Sequence, residues 1–397
     1  MKISKRARSV KPSPTLQVTA RAQELRSQGV DIIGFGAGEP DFDTPAYIKE
    51  FAKQAIDEGF TKYTPATGIP ELKKAVAKKF EKDNGLKYSP EQIIISCGAK
   101  HCLYNLFQAV LDPGDEVVII APYWVSYPDM AILAGAKPVF VKTSIENGFK
   151  PKPKDLESAI SKKTRLVVIN SPSNPTGAGL SEKELKALKG ILESGDFWIA
   201  SDEIYEKIIY DGFKHIAIAS LSKKLYEKTI TVNGVSKTYA MTGWRIGYAG
   251  GDPEVIKAMG KIQSQSTSNP TSISQKAALR ALQGGKKEVA KMLREFKKRR
   301  NWIVKALNDI PGVKCYNPEG SFYVFPDFSY YLGKKFQGKR IKNSVELAEF
   351  LIEQARVAVV PGGAFGAEGH LRLSFATSLE NIKEGIKRIR EAVSKLE

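Results

Sequence analysis

The chain has 397 residues, 42% of them hydrophobic and 26% charged, with a formal net charge of +18. That length predicts more than one core, and the absence of an apolar run of about 18 residues argues against a membrane span. Three cysteines (Cys97, Cys102, Cys315) and three histidines (His101, His215, His370) are scattered, which predicts neither a disulfide framework nor a bound metal.

The basic N-terminus, Met1 to Arg6, lacks the apolar segment of a secretory signal, so a cytoplasmic protein is expected. From about residue 90 to 250, short β-branched runs alternate with helical patterns. Strands are predicted over 93–95, 116–120, 138–141, 166–169, 197–200, 229–232 and 246–249. Continuous apolar runs of this length suit strands buried on both faces of a largely parallel sheet. Ser181 with Glu184 three residues on is a capping-box start for one intervening helix. Residues 253–307 read as helical, with a break near Ser268-Asn269-Pro270. The tail mixes strand-like 321–325, 357–360 and 371–375 with helices at 344–355 and from about Leu379.

The expected architecture is therefore α/β. A large domain over 49–290 carries a mostly parallel sheet flanked by helices. A smaller α+β domain combines 1–48 with 291–397. The surplus of positive charge is interleaved with glutamates, as in Glu182-Lys183-Glu184-Leu185-Lys186, and its densest run, Lys297-Lys298-Arg299-Arg300, falls on an amphipathic helix pattern. No nucleic-acid motif accompanies it. Solvated faces are expected, with no nucleic-acid partner and a field that favours small anions.

In open parallel sheets, ligands gather outside the carboxyl ends of the strands, and the polar residues at those ends are specific in type. Ile93-Ile94-Ile95 runs into Ser96-Cys97-Gly98-Ala99-Lys100 and a helix pattern. A glycine turn feeding a helix N-terminus offers backbone N–H groups to a phosphate. Leu166 to Ile169 runs into Asn170-Ser171-Pro172-Ser173-Asn174-Pro175, a stiff and shaped loop. Phe197 to Ala200 runs into Ser201-Asp202-Glu203-Ile204-Tyr205, where the ordinary role of the acid would be a helix cap. Thr229 to Val232 leads to Ser236-Lys237, and Arg245 opens the next run. An arbitrary lysine among 61 lysines and arginines is a surface cation. One held by burial and cationic neighbours is an amine nucleophile able to condense with a carbonyl cofactor. A phosphate cradle, an acid, a phenol and such a lysine are together what pyridoxal 5'-phosphate requires.

The chain resembles a class I aminotransferase of the fold-type-I pyridoxal phosphate family, in the bacterial aspartate and aspartate/prephenate branch. The resemblance covers nearly the whole length. It rests on Gly36-Ala37-Gly38-Glu39-Pro40-Asp41-Phe42, Tyr63-Thr64-Pro65-Ala66-Thr67-Gly68, Pro122-Tyr123-Trp124, Asn174-Pro175-Thr176-Gly177, Asp202-Glu203-Ile204-Tyr205, Ser236-Lys237 with Arg245, and Arg372-Leu373-Ser374-Phe375-Ala376.

The resemblance implies a role for each matching residue. Lys237 carries the cofactor and shuttles the proton from the substrate Cα. Asp202 pairs with the pyridine N–H, Tyr205 and Asn174 donate to the cofactor's 3-oxygen, and Trp124 stacks on the ring. The phosphate is held at the Gly98 turn by backbone N–H groups of Ala99 and Lys100, by the Ser236 hydroxyl and by Arg245. Tyr63 reaches the phosphate of the neighbouring subunit, which implies a homodimer. Arg372 clamps the substrate α-carboxylate, with Gly38 and Asn174 alongside and Trp124 lining the site.

One segment departs from the better-known aspartate enzymes, which place an arginine just before a Ser-Asn-Pro sequence. Here residues 263–270 read Gln-Ser-Gln-Ser-Thr-Ser-Asn-Pro. In the branch this chain resembles, the lysine at the position of Lys100 takes the distal carboxylate instead. Residues 11–15 would close over the substrate. The implied reaction is ping-pong amino transfer between aspartate and 2-oxoglutarate, without a metal. Prephenate as a further acceptor, or a β-lyase reaction on the same scaffold, are the alternatives.

Overall fold

The computed structural model describes residues 1–10, 12 and 14–397. Lys11 and Ser13, part of the segment expected to close over the substrate, lie outside the described residues. The main sheet contains β1 (Ile93–Ser96), β2 (Glu116–Ala121), β3 (Lys137–Lys142), β4 (Thr164–Asn170), β5 (Trp198–Asp202), β6 (Thr229–Gly234) and β7 (Gly247–Gly250). Their order across the sheet is β1-β7-β6-β5-β4-β2-β3. All neighbours pair in parallel except β7, which is antiparallel to both β6 and β1. Hydrophobic periodicity located β7, but it carries no information about strand direction.

Alternate residues of a strand face opposite sides of a sheet, and two separate cores follow from that. Val117, Leu166, Val168, Ala200 and Ile230 pack on one face with helix α1 (Ala99–Val110). Val118, Val167, Ile169 and Ile199 pack on the other with helix α2 (Glu182–Ser194). Each such side chain fully removed from water contributes about 1.5–3 kcal/mol. The α2 start is the capping box read from sequence: Ser181 Oγ accepts from the Glu184 amide, and the Ser181 amide donates to Glu184 Oε2. Strand β3 lies at the sheet edge, where its lysines 137 and 142 are exposed and guard the open backbone against pairing with another chain.

The helical stretch after β7 breaks at the expected place and again at Gly284-Gly285, giving Pro253–Ser266, Ser272–Gln283 and α3 (Lys286–Asn308). Gly285 has φ +83° and leaves no room for a Cβ, which would lie 2.4 Å from the Tyr47 hydroxyl. A further core joins Ile33 and Phe35 to α3, α4 (Ser344–Ala355), α5 (Leu379–Val393) and residues 322–324 and 371–375. Two short strands there, Tyr323–Val324 and Leu371–Ser374, pair antiparallel. Of the run 321–325 expected as strand, only its centre forms ladder pairs.

The basic run on α3 is not simply a solvated face. Helical periodicity turns Arg299 and Arg300 inward beside Phe296 and Ile303, and both are buried. Arg299 binds Asp41 at 2.7 Å, while Arg300 pairs with Asp211 and lies 4.9 Å from the Tyr210 ring. Lys297 pairs with Asp211 as well, at 2.9 Å, so three of the four cations tie α3 to the chain segments packed around it.

The fold also gathers a histidine that looked isolated in the sequence. His215 Nε2 lies 2.9 Å from Glu203 Oε2, with Glu206 beside them. These three residue types could ligate a metal. Lys79, however, pairs directly with Glu206, and Asn84 donates to it at 2.7 Å. Two carboxylates against Lys79 and a histidine whose pKa its glutamate neighbours raise against the opposing effect of burial make a self-neutralising cluster. The buried Glu206 is held down at about 2, where the attraction of Lys79 and His215 overcomes burial. A depressed carboxylate stabilises the fold above its ordinary value of 4.5 and loses that contribution as the pH falls toward about 2. Glu206→Gln is expected to cost about 3–5 kcal/mol at pH 7 by stranding Lys79. Denaturant melts should show a smaller cost at pH 3, and an equal cost at both pH values would contradict the assignment.

No helix among the described residues is long and apolar enough to cross a membrane.

Candidate active site

Strands β2, β4, β5 and β6 all end on the same edge of the sheet, and each delivers a candidate site residue there. β2 leads to Trp124, β4 to Asn170 and the loop bearing Asn174, β5 ends at Asp202, and β6 leads to Ser236 and Lys237. β1 ends there too and passes through Gly98 into α1. The antiparallel strand β7 starts on this edge instead of finishing there. Gly247 pairs with both Ser96 and Gly234, which sets Arg245, two residues earlier, beside the start of α1. A parallel β7 would carry Arg245 to the opposite edge.

Close backbone approach makes this corner. A Cβ on Gly247 would fall 2.1 Å from the Ala99 nitrogen, and one on Gly98, at φ +90°, would fall 2.5 Å from Arg245 Nη2. The first N–H groups of α1 have no partners within the helix. They share the corner with the Arg245 guanidinium, whose Nη1 donates to the Thr242 carbonyl at 2.8 Å. Such a corner binds anions.

A cavity of about 280 Å³ opens over these strand ends. Of the residues singled out from sequence, all surround it except Gly98 and Tyr63. Gly98 sits behind Arg245 as its backstop. Tyr63 is 91% exposed and stands outside the cavity. Thr15 and Leu16, from helix Pro14–Ser27, also line the opening.

At the floor, Asp202 is 4% exposed and accepts from the Tyr127 hydroxyl at 2.6 Å and from the Ile204 amide at 3.3 Å. Burial pushes its carboxyl up to about 6, opposed by those hydrogen bonds. Lys237 Nζ donates to the Gly38 carbonyl at 2.6 Å. Burial pushes this amine down to about 8, opposed by Glu39 and assisted by Arg245 and Arg372. Both groups are moved toward neutrality, yet near pH 7 the acid remains ionised and the amine protonated. A modest rise in pH frees the amine as a base.

On the far wall, Arg372 is 1% exposed. Its Nη1 donates to Asn174 Oδ1 at 3.0 Å and its Nη2 to the Gly36 carbonyl at 2.8 Å, while its Nε has no protein partner. The guanidinium lies 4.4 Å from the Tyr323 ring centroid and 5.1 Å from that of Phe365. At the mouth, Lys100 Nζ stands 4.9 Å over the Trp124 ring, and desolvation followed by Arg245 lowers its pKa.

Sequence reasoning passed over Tyr127 and Tyr323. Tyr127 lies three positions after Trp124, in the first turn of helix Ser126–Leu133, and that spacing could have placed it beside Trp124. Tyr323 lies in an apolar strand pattern, where a core role was the default reading.

The model of the family described as aminotransferase class I and II matches residues 30–389. The chain is 50% identical to the aspartate aminotransferase of Bacillus subtilis (strain 168), covering 100% of both chains. It is 53% identical to the aspartate/prephenate aminotransferase of Cereibacter sphaeroides, over 96% of each. Among solved structures, the aspartate aminotransferase from Rhizobium meliloti superposes with a TM-score of 0.96 at 46% identity, covering 100% of both chains. That of Thermus thermophilus with maleate gives 0.93 at 46% identity, covering 99% of this chain and 100% of that one.

Proposed function

The chain belongs to the class I and II aminotransferases, and from that premise we propose that it moves an amino group between aspartate and 2-oxoglutarate on pyridoxal 5'-phosphate. The observation that carries the substrate reading is a cation at each side of one cavity. Arg372 is buried in the wall and Lys100 stands at the mouth, which suits a substrate with two carboxylates.

The residues present fit the cofactor. The α1 N-terminus, Ser236 and Arg245 offer donors of the right kind for a phosphate, in a corner that a single added Cβ would fill. Asp202 and Lys237 lie on adjacent strand ends, as the ring nitrogen and the aldehyde require. When bound, pyridoxal phosphate supplies an aldehyde that captures an amino group and a protonated ring that accepts the electron pair left at Cα.

The chain's residues do the rest. Asp202 holds a proton on the ring nitrogen by charge-assisted hydrogen bonding. Its own bond from Tyr127 keeps the carboxylate oriented and ionised. Lys237 Nζ, with its lowered pKa, takes the proton from the substrate Cα and returns it to the other end of the reacting system. Tyr205 and Asn174 donate to the ring oxygen, and Trp124 covers a ring face. Arg372 grips the α-carboxylate, with the Gly38 backbone close by.

This reading makes the enzyme a homodimer, with Tyr63 completing the phosphate site of the partner; the exposure of Tyr63 supports it. It also divides the chain into a cofactor domain over 49–290 and a smaller domain of 1–48 with 291–397. The core that joins Phe35 to α3, α4 and α5 brings both ends of the chain together, and it also takes in Ile204, Tyr205, Ile208 and Tyr210 from the cofactor domain. A cytoplasmic location accompanies the reading. Prephenate is a second acceptor to test, since two of the relatives most similar to this chain are named for it.

Mixing the cofactor-loaded protein with aspartate or glutamate should bleach the cofactor's visible absorbance, and 2-oxoglutarate should restore it. No change with either amino acid would reject the function. Lys100→Ala should lower kcat/KM for aspartate by about ten- to a hundredfold, the worth of one charged hydrogen bond, while leaving phenylalanine within about threefold. Equal losses for both would reject Lys100 as the distal-carboxylate residue.

A further inference from the structure

Tyr323 stands at the junction of three parts of the site. It lies in the short strand that pairs with Leu371–Ser374, so the backbone bearing Arg372 also positions it. Its ring packs beneath the Arg372 guanidinium, 4.4 Å from Cζ to centroid. Its hydroxyl is 3.1 Å from the Tyr205 hydroxyl. A Cβ on Gly38 would fall 3.0 Å from that same hydroxyl, so the oxygen also faces the backbone that receives the Lys237 hydrogen bond.

The hydroxyl pair poses a directional problem. Each phenol has one proton and can accept through its lone pairs. If Tyr205 donates to Tyr323, Tyr205 has no proton left for anything in the cavity. If Tyr323 donates to Tyr205, the Tyr205 proton is free to point inward. Among the described residues, each hydroxyl has the other as its only hydrogen-bond partner. Burial raises the pKa of both phenols, so both keep their protons at working pH. An anionic oxygen in the cavity attracts the Tyr205 proton more strongly than a neutral phenol does, and the pair then settles with Tyr323 as donor.

We propose that Tyr323 is a positioning residue that donates to Tyr205 and so aims the Tyr205 proton at the bound cofactor's ring oxygen, while its ring fixes the plane of Arg372. Hydroxyl and ring serve opposite ends of the cavity and can be removed separately. The proposal rests on the reading that Tyr205 faces the cofactor.

The test is a double-mutant cycle on the cofactor-loaded enzyme, read from the pH midpoint of the cofactor's visible absorbance in the absence of substrate. Tyr205→Phe should raise the midpoint, because a donor to the deprotonated ring oxygen is lost. Tyr323→Phe keeps the ring under Arg372 and should raise the midpoint by about half to one pH unit, the worth of one neutral hydrogen bond. In the Tyr205→Phe background, Tyr323→Phe should add nothing. The dissociation constant of succinate, a non-reacting dicarboxylate, should stay within about twofold in Tyr323→Phe and rise at least about tenfold in Tyr323→Leu, which removes the ring. Cofactor stoichiometry and melting temperature report whether each variant is folded.

A silent Tyr205→Phe would overturn both the proposal and the reading beneath it. A shift in Tyr205→Phe with a silent or fully additive Tyr323→Phe would overturn the proposal alone. Equal succinate binding in the Phe and Leu variants would overturn the role of the ring.

Discussion

Replacing Lys237 with methionine is expected to lower the rate of amino transfer by at least about 10⁴-fold and, in the cofactor-free protein at pH 7, to raise the melting temperature. The first effect follows from the loss of the amine proposed above to bind the cofactor and carry the proton. The second follows from the direction of its pKa. Lys237 stands at about 8, below its ordinary 10.5, mainly because it is buried. Below about 8, folded and unfolded chains both hold the proton, and the fold bears the whole cost of a desolvated ammonium. Between about 8 and 10.5 the folded protein releases the proton while the unfolded chain keeps it, so stability rises with pH. The wild-type protein should therefore melt a few degrees below the variant at pH 7, and the gap should narrow by pH 10. Melting curves at the two pH values test this. A constant gap would mean that the amine's pKa is not lowered in the folded protein, and retained turnover would remove Lys237 from the chemistry.

Arg372→Lys should lower kcat/KM by about 10²–10³-fold, and by the same factor for every amino-acid donor. The side chain is 1% exposed and held by Asn174, by the Gly36 carbonyl and by two aromatic rings. A guanidinium in that setting presents a fixed plane to a carboxylate, with two parallel bonds. An ammonium makes one bond, loses the stacking, and leaves Asn174 and Gly36 with unmatched acceptors. Truncating one partner of a buried charge pair costs about 2–5 kcal/mol, which sets the range. Uniformity across donors is the sharper part of the expectation, because every amino acid carries an α-carboxylate. A loss confined to dicarboxylic donors would place Arg372 at the side-chain end and reverse its assignment with Lys100.

The gathering of Asp202, Asn174 and the Ser236-Lys237 pair around one cavity was readable because each follows a strand of its own. Asp202, Asn174 and Ser236-Lys237 are punctuation after short apolar runs, and a sheet brings such punctuation together whatever its helices do. Directions and partners were less legible. The antiparallel course of β7, which brings Arg245 to the right edge, depends on the connection between strands and not on their composition. The Glu203–His215–Glu206–Lys79 cluster draws on the helix Pro70–Asn84, a strand end and a loop, none of which signals the others. Arg299 and Arg300 looked like solvent charges because their acids, Asp41 and Asp211, lie far away in the chain. Tyr323 was hidden by being aromatic in a strand, where packing usually accounts for the residue.

The hydrogen bond from Arg372 to the Gly36 carbonyl spans 336 positions, and this span has a consequence in time. A ribosome releases the strand ends that would hold the cofactor long before it releases residue 372. During that interval the emerging chain can build its central sheet, since those contacts are nearer in sequence and form sooner. The proposed grip on the substrate comes last, when the returning strand meets the segment made first. A chain interrupted at residue 370 would lack Arg372, the residue proposed above to hold an amino acid by its carboxylate.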